Sequence, residues 1–415
     1  MQHFDKLETR APAVREAALM AALPAHIAHA RGNAPGFARI LADVDPAAVN
    51  SRAALARLPV TRKSDLGELQ KAHPPLGGLN ATPVGKLAKL FVSPGPIYEP
   101  EGDAANWWRA ARGLCAAGFQ AGDLVVNTFS YHFTPAGSLS ESGARALGCV
   151  VVPTGTGQTE MQVATIASLR VRGYIGTPSF LKLIVEKAGE LNADVSSLTR
   201  ASVGAEYLPP ALRQSMRERG ICVTQTYGTA DLGLIAYESA MPDDSVNDGM
   251  ILDEGVLLEI VRPGTGDPVP AGEVGEVVIT TFNPDYPLIR FATGDLSAVL
   301  SGPSLCGRTN VRIKGWMGRA DQTTKVRAMF VTPKQVNEVV RRHPEVVKAR
   351  LVVEGETGAE RMTLRCETDA RPAGLKEAVV ASIREVTKLR GEVEFVSSGS
   401  LPNDGKVIED ARKYG

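Results

Sequence analysis

Charge of one sign is the first thing missing: Lys+Arg 46 stand against Asp+Glu 46, a formal net charge of +0. Nucleic-acid coats and membrane-surface proteins need a basic excess, so no nucleic-acid and no membrane partner is expected. Cysteine is sparse, with five residues at 115, 149, 222, 306 and 366 and no CxxC spacing. A zinc ribbon is thereby excluded, no structural metal is expected, and dispersed thiols read as buried side chains in a reducing compartment. No apolar run reaches the ~18–20 residues of a membrane span, and the opening MQHFDKLETR has no apolar signal-peptide core. The expected setting is cytoplasmic. There is no internal repeat, no low-complexity tract, and no GxSxG elbow to carry a serine hydrolase. What is present is 44% hydrophobic and 22% charged residues over 415 positions, ample for two or three domains with real cores.

Residues 1–75 read as helical: AVREAALMAALPAHIAHA carries an apolar stripe, and a capped helix start is expected at Ser64 in LPVTRKSDLGELQ. From about 90, β-branched runs alternate with helical stretches. FVS, DLVVNTF, CVVVPT and YIGTP are the strands; WWRAARGLCAAG, SLSESGARALG, VATIASLRVRG and SFLKLIVEKAGEL lie between them. Such alternation predicts parallel strands joined by crossover helices. Between 250 and 300 the texture turns β-rich, with PGTGDPVPAG as a hairpin-like loop. A boundary at about 320 is expected, with a smaller unit after it in the order helix (PKQVNEVVRRH), two strands (VKARLVVEG, RMTLRCET), helix (PAGLKEAVVASIREVTKL) and strand (GEVEFVS).

Ten segments in order resemble the phenylacetate-CoA ligase family of the adenylate-forming superfamily. They are LPVTRKSDL (58–66), AGDLVVNTFSYHFTPAG (121–137), VVVPTGTGQTEMQ (150–162), GTPSFL (176–181), SVGAEYL (202–208), TYGTADLG (226–233), GEVGEVVITT (272–281), IRFATGDL (289–296), GRAD (318–321) and LPNDGKVIED (401–410). The resemblance runs from about 55 to the end of the chain. It implies an α/β fold: a large AMP- and acyl-binding domain, 1–320, with mixed and parallel sheets and a β-rich subdomain, and a small α+β domain, 321–415, that swivels. It also implies a two-step reaction. A small carboxylic acid attacks the α-phosphate of ATP to give an acyl-adenylate and pyrophosphate, and coenzyme A then displaces AMP. Mg²⁺ would offset charge on the leaving pyrophosphate. An aromatic or aryl-acetic acid is the implied substrate, and the size of the chain leaves a homodimer open.

Carried over position by position, the resemblance gives Asp295 the ribose hydroxyls, where the residue by itself also reads as a turn aspartate. Gly204, Ala205 and Glu206 match the adenine-side loop, Tyr227 and Gly228 the aromatic–glycine pair beside it, and Arg319 a nucleotide contact. Asp321 matches the hinge and Lys406 the catalytic lysine, whose compact positive charge suits a carboxylate–phosphate transition state. Asp231 stands where a carboxylate would bind Mg²⁺. Tyr131, His132 and Phe133 fall at the acyl pocket, and a core-packed aromatic cluster is the competing reading. The loop 154–159 is placed on the pocket wall, and the SxxK pair Ser179 and Lys182 reads as helix packing.

The phosphate-binding loop departs from the pattern. Where the family reads close to Ser-Ser-Gly-Thr-Thr-Gly-Lys-Pro, this chain keeps Ser93 and Gly95 but has Pro94, Pro96, Ile97, Tyr98 and Glu99. The two added prolines remove N–H donors. An ionised Glu99 beside a triphosphate costs on the order of a few kcal/mol at an effective dielectric near 20. Ala230 replaces a hydroxyl residue, Asp231 is one methylene shorter than the usual Glu, and Ala328 follows Arg327 where the family has glycine. Three readings follow: an AMP-forming ligase with a drifted loop, a non-catalytic adenylate- or acyl-CoA-binding homologue that has lost ATP turnover, and adenylate chemistry with an acceptor other than CoA.

Overall fold

Strands at 124–229 with helices between them assemble five strands of a nine-stranded sheet. The computed structural model describes residues 2–93, 96–320, 322–327, 329–356, 359–402 and 406–412. It divides into two units, Met1–Met317 and Gly318–Gly415. In the first, Val150–Pro153, Leu124–Asn127, Gly173–Gly176, Arg200–Val203 and Cys222–Thr229 lie side by side, all parallel. The helices Ala136–Leu147, Thr159–Leu169, Pro178–Glu190 and Pro210–Glu218 connect them. The chain folds this way because each helix has an apolar stripe to cover the sheet: Leu181, Ile184 and Val185 of one helix share a buried cluster with Val126, Tyr174 and Val203. That helix starts where Thr177 accepts a hydrogen bond from the Phe180 N–H at 3.3 Å and Pro178 takes the first position.

From Cys222–Thr229 the sheet continues antiparallel through Gly233–Tyr237, Met250–Leu252, Arg312–Ile313 and Val299–Leu300. A separate four-stranded sheet takes Val256–Val261, Gly275–Thr281, Phe291–Ser297 and, parallel to the last, Thr61–Arg62. The Pro- and Gly-rich loop at 263–272 joins the first two of these as an antiparallel pair. The apolar centre of the unit gathers Leu23 and Ile27 from helix Pro12–Asn33 with Phe37, Trp108, Ile279 and Phe291. Trp107 packs edge-on against Trp108 at 4.5 Å.

Two local expectations fail. The FVS run is not part of the parallel alternation: Lys89–Ser93 pairs antiparallel with Ile97–Glu101, Ser93 opposite Ile97, as a two-stranded ribbon of its own. Ser64 caps no helix; it sits inside a 3₁₀ turn, Lys63–Asp65, and donates to Asp65 at 3.0 Å, while the α-helix begins at Leu66. A side chain spent on its neighbour's carboxylate is lost to the backbone it was expected to cap.

The second unit has the helix–strand–strand–helix–strand order read from its sequence. Helix Pro333–Arg341 opens with a Thr332–Gln335 capping box, and Glu392–Val396, Arg361–Glu367 and Lys348–Glu354 form a sheet. Two elements were not foreseen: the hairpin of Thr324–Val326 with Met329–Val331, and Ile408–Asp410, which lies parallel to Lys348–Glu354.

Candidate active site

At the carboxyl ends of parallel strands, helices and loops diverge and leave a crevice. Gly204, Ala205 and Glu206 follow Arg200–Val203 there, beside the end of Cys222–Thr229, with Val203 opposite Gln225. Ala205 takes a left-handed conformation at φ 64. The Glu206 carbonyl accepts from Gln225 Nε2 at 2.9 Å, and its carboxylate accepts from the Ser179 N–H at 3.3 Å. Ser179 and Lys182 both face solvent, so the packing role expected of them is not met.

One strand further on, the pairing of Cys222–Thr229 with Gly233–Tyr237 shifts register between Tyr227 and Gly228. A Cβ on Gly228 would lie 2.5 Å from the Gly233 carbonyl oxygen, so only glycine lets the two backbones approach this closely. The tight return presents Asp231, whose side chain is buried. Tyr227 reaches across to the other sheet, where its hydroxyl donates to Asp295 Oδ2 at 2.9 Å. Trp316 Nε1 donates to Oδ1 of the same carboxylate at 3.1 Å. Asp295 is thus aimed by two donors, one from each side.

Lys63, which follows the strand paired to that of Asp295, extends its ammonium to Asp231 Oδ2 at 2.5 Å. Burial is the largest influence and works against its charge, but the Asp231 carboxylate, with Glu99 and Asp295 behind it, leaves the Lys63 pKa raised above the ordinary lysine value. Glu99 and Asp295 also lie within electrostatic reach of it.

Glu99 belongs to the strand Ile97–Glu101, whose ribbon is held at both ends. At the far end Gln70 pairs with the Tyr98 backbone, donating to its carbonyl at 2.8 Å and accepting from its N–H at 2.9 Å. At the root Glu101 accepts from Lys89, Trp108 and Ser138. Between them Glu99 is fully buried and accepts a hydrogen bond from the Ser93 hydroxyl. Burial first, then the Asp231 charge, push its carboxyl up to about 8, against the pull of Ser93. The ionised Glu99 assumed from sequence is therefore corrected: below pH 8 the carboxyl is mostly neutral and its Coulomb cost to a phosphate falls away. Gly95 of the same loop lies outside the described residues, as do Asp321 and Ala328.

At the end of Leu124–Asn127, Asn127 ties two loops together. Its amide donates to the Tyr131 hydroxyl at 2.8 Å, and its carbonyl accepts from Gly155 N at 3.0 Å and Thr154 Oγ1 at 3.2 Å. Burial, with Glu141, holds the Tyr131 phenol protonated above its ordinary range. His132 and Phe133 are exposed, Phe133 at 77%, so the core-packed reading of this trio fails for two of its members. The Phe133 carbonyl accepts from Val92 N at 2.8 Å, which ties this loop to the ribbon carrying Ser93.

Arg319 and Lys406 belong to the second unit. Lys406 is exposed just before Ile408–Asp410, and the Val407 and Ile408 N–H groups both donate to Gln322 Oε1, at 2.7 and 3.2 Å. The turn residues 403–405 before it lie outside the described residues.

The structure brings Asp231, Tyr227, Asp295 and Glu99 together, and adds Lys63, Trp316 and Asn127, to which sequence reasoning gave no role. Lys63 was visible in the LPVTRKSDL segment. Nothing local marks it as different from the other lysines, because its partner is 168 positions away.

Comparison with known proteins adds the family. A family model described as AMP-binding enzyme matches residues 104–283. The chain is 31% identical to the phenylacetate-coenzyme A ligase of Thermus thermophilus, over 93% of this chain and 94% of that protein. It is 30% identical to the phenylacetate-coenzyme A ligase of Escherichia coli, over 81% and 78%. Its fold matches 2-hydroxyisobutyryl-CoA ligase, crystallised with 2-HIB-AMP and CoA in the thioesterification state, with a TM-score of 0.81 at 23% identity, covering 99% of this chain and 92% of that one. With near-complete overlap at this identity, the chain belongs to the phenylacetate-coenzyme A ligase family of AMP-binding, adenylate-forming enzymes.

Proposed function

We propose that this protein is an AMP-forming carboxylate–CoA ligase, an acid–thiol ligase acting on an aromatic or aryl-acetic acid. The observation that carries the reading is Asp295, a buried carboxylate on the four-stranded sheet, oriented by Trp316 and by Tyr227, which reaches it from the nine-stranded sheet that also carries the 204–206 loop. A carboxylate with both oxygens aimed is suited to two adjacent ribose hydroxyls. In this reading Gly204, Ala205 and Glu206 border the adenine, Tyr227 and Gly228 border adenine and acyl group, and Tyr131, His132 and Phe133 line the acyl side. Arg319 contacts the nucleotide, Lys406 supplies charge to the transition state of adenylation, and Asp321 is the pivot of a mobile second unit.

Asp231 suits Mg²⁺. Among the described residues its Oδ1 is buried with no hydrogen-bond partner, and no group of three or more His, Cys, Asp or Glu forms a cage. Mg²⁺ is commonly held by one or two carboxylates plus substrate phosphates. When bound, the ion would neutralise charge on the leaving pyrophosphate. Five free, buried cysteines support a reducing, cytoplasmic setting, and no helix among the described residues is long and apolar enough to cross a membrane. Self-association to a dimer belongs to the same proposal and is read by sedimentation.

The test is pyrophosphate release from ATP–Mg²⁺ against a panel of carboxylic acids, followed by CoA thioester detection. Asp295→Ala should weaken AMP binding by about 1.5–3 kcal/mol, the scale of hydrogen bonds to a charged group. Release of pyrophosphate with no acid, together with unchanged AMP affinity in the variant, would overturn the assignment.

A further inference from the structure

We propose that Lys63 is the cation that binds the β- and γ-phosphates of ATP in this protein, standing in for the lysine its phosphate loop has replaced with Glu99. The inference rests on the ligase reading above.

Three observations converge on it. First, the loop lacks part of what the family pattern brings to a polyphosphate: two hydroxyl positions are Pro96 and Ile97, and the cationic position is Glu99. A triphosphate still brings several negative charges into a site of low dielectric, where a nearby cation is worth most. Second, Lys63 occupies the right neighbourhood, with its ammonium on Asp231 at 2.5 Å and Glu99 and Asp295 within electrostatic reach. Third, its coordination is incomplete. An ammonium has three donors, yet Asp231 is the one acceptor Lys63 meets among the described residues. Its side chain is 24% exposed while that of Asp231 is 0% exposed, so the lysine keeps some contact with solvent and its partner does not. Among the described residues, Glu99 Oε2, Asp231 Oδ1 and the hydroxyl of Tyr286, which lies within electrostatic reach of both carboxylates, are buried without hydrogen-bond partners. A closed structural ion pair has no use for unspent donors and orphaned oxygens; a site that exchanges partners when a ligand arrives does.

The pairing also has a natural exchange. When phosphate oxygens take the ammonium, Asp231 is released with both oxygens available. The lysine thus guards the carboxylate until the nucleotide is present. Lys63 comes from the segment 61–63 rather than from the loop, so cation and loop are separable in sequence.

The experiment is calorimetric titration of the full chain with ATP–Mg²⁺ and, separately, with AMP. Lys63→Gln should weaken ATP at least tenfold and leave AMP within twofold, because AMP has no β- or γ-phosphate. A second variant guards against misfolding from an unpaired Asp231: Lys63→Gln with Glu99→Lys moves the cation to the loop position and keeps a partner for the carboxylate. It should bind ATP within about threefold of wild type. Equal losses for ATP and AMP in Lys63→Gln, or failure of the double variant to hold ATP while AMP binding is intact, would overturn the assignment. A wild-type protein that binds neither nucleotide would instead overturn the ligase reading, whereas unaltered ATP affinity in Lys63→Gln would remove only the role of Lys63.

Discussion

Glu99 illustrates how much a residue's chemistry depends on what surrounds it. In the unfolded chain it titrates as an ordinary carboxyl near 4.5; in the fold, burial and Asp231 raise it to about 8. Between those values the folded state binds more protons than the unfolded state, so stability falls as pH rises through this window. Glu99→Gln, which stays neutral, should therefore gain on wild type with increasing pH. The difference in unfolding free energy should be near its minimum at pH 4–5 and reach on the order of a few kcal/mol by pH 9. Denaturant melts across that range check this, and a flat difference would mean Glu99 is ionised throughout. From sequence the substitution was evident but its protonation was not, because the groups that set it, Ser93 and Asp231, are 6 and 132 positions away and only one of them is a near neighbour. The same holds for Asp295: the Gly-Asp pair was legible, while its donors Tyr227 and Trp316 meet it only through tertiary structure.

Elements were legible where their pattern was local. The parallel strands and their crossover helices between 124 and 229 announce themselves as β-branched runs separated by amphipathic stretches, and the second unit does likewise. The ribbon at Lys89–Ser93 and Ile97–Glu101 was misassigned because a run as short as Phe91-Val92-Ser93 says nothing about its partner. The antiparallel half of the large sheet was hidden for the same reason. The return from Cys222–Thr229 to Gly233–Tyr237 is the element on which the site depends most, since it carries Tyr227 at one end and Asp231 at its tip. Gly228→Ala would drive a Cβ to 2.5 Å from a backbone oxygen that has no rotamer in which to retreat. It should cost about 1–3 kcal/mol, the scale of overpacking, and lower nucleotide affinity because the strain is relieved by moving the turn. Thermal melts with and without AMP separate the two effects.

Across the whole molecule, the proposed duties are divided. Lys63, Asp231 and Asp295 belong to Met1–Met317, and Arg319 and Lys406 to Gly318–Gly415. A group that holds the nucleotide alters affinity, whereas one used only in the transition state alters rate alone. Lys406→Ala should accordingly abolish pyrophosphate release, a loss of at least a hundredfold, with AMP affinity within about threefold of wild type. Parallel loss of both would place Lys406 in ground-state binding. Finally, the chain has three tryptophans, and they are not equivalent. Trp107 and Trp108 are buried against one another, while Trp316, 37% exposed, has its indole N–H on the carboxylate assigned to the ribose. A sugar hydroxyl arriving at Asp295 competes with that indole for the same oxygen. If Asp295 takes the ribose as proposed, the protein should carry its own optical reporter: two chromophores sealed in the core as a constant background, and one whose emission changes as AMP is titrated in.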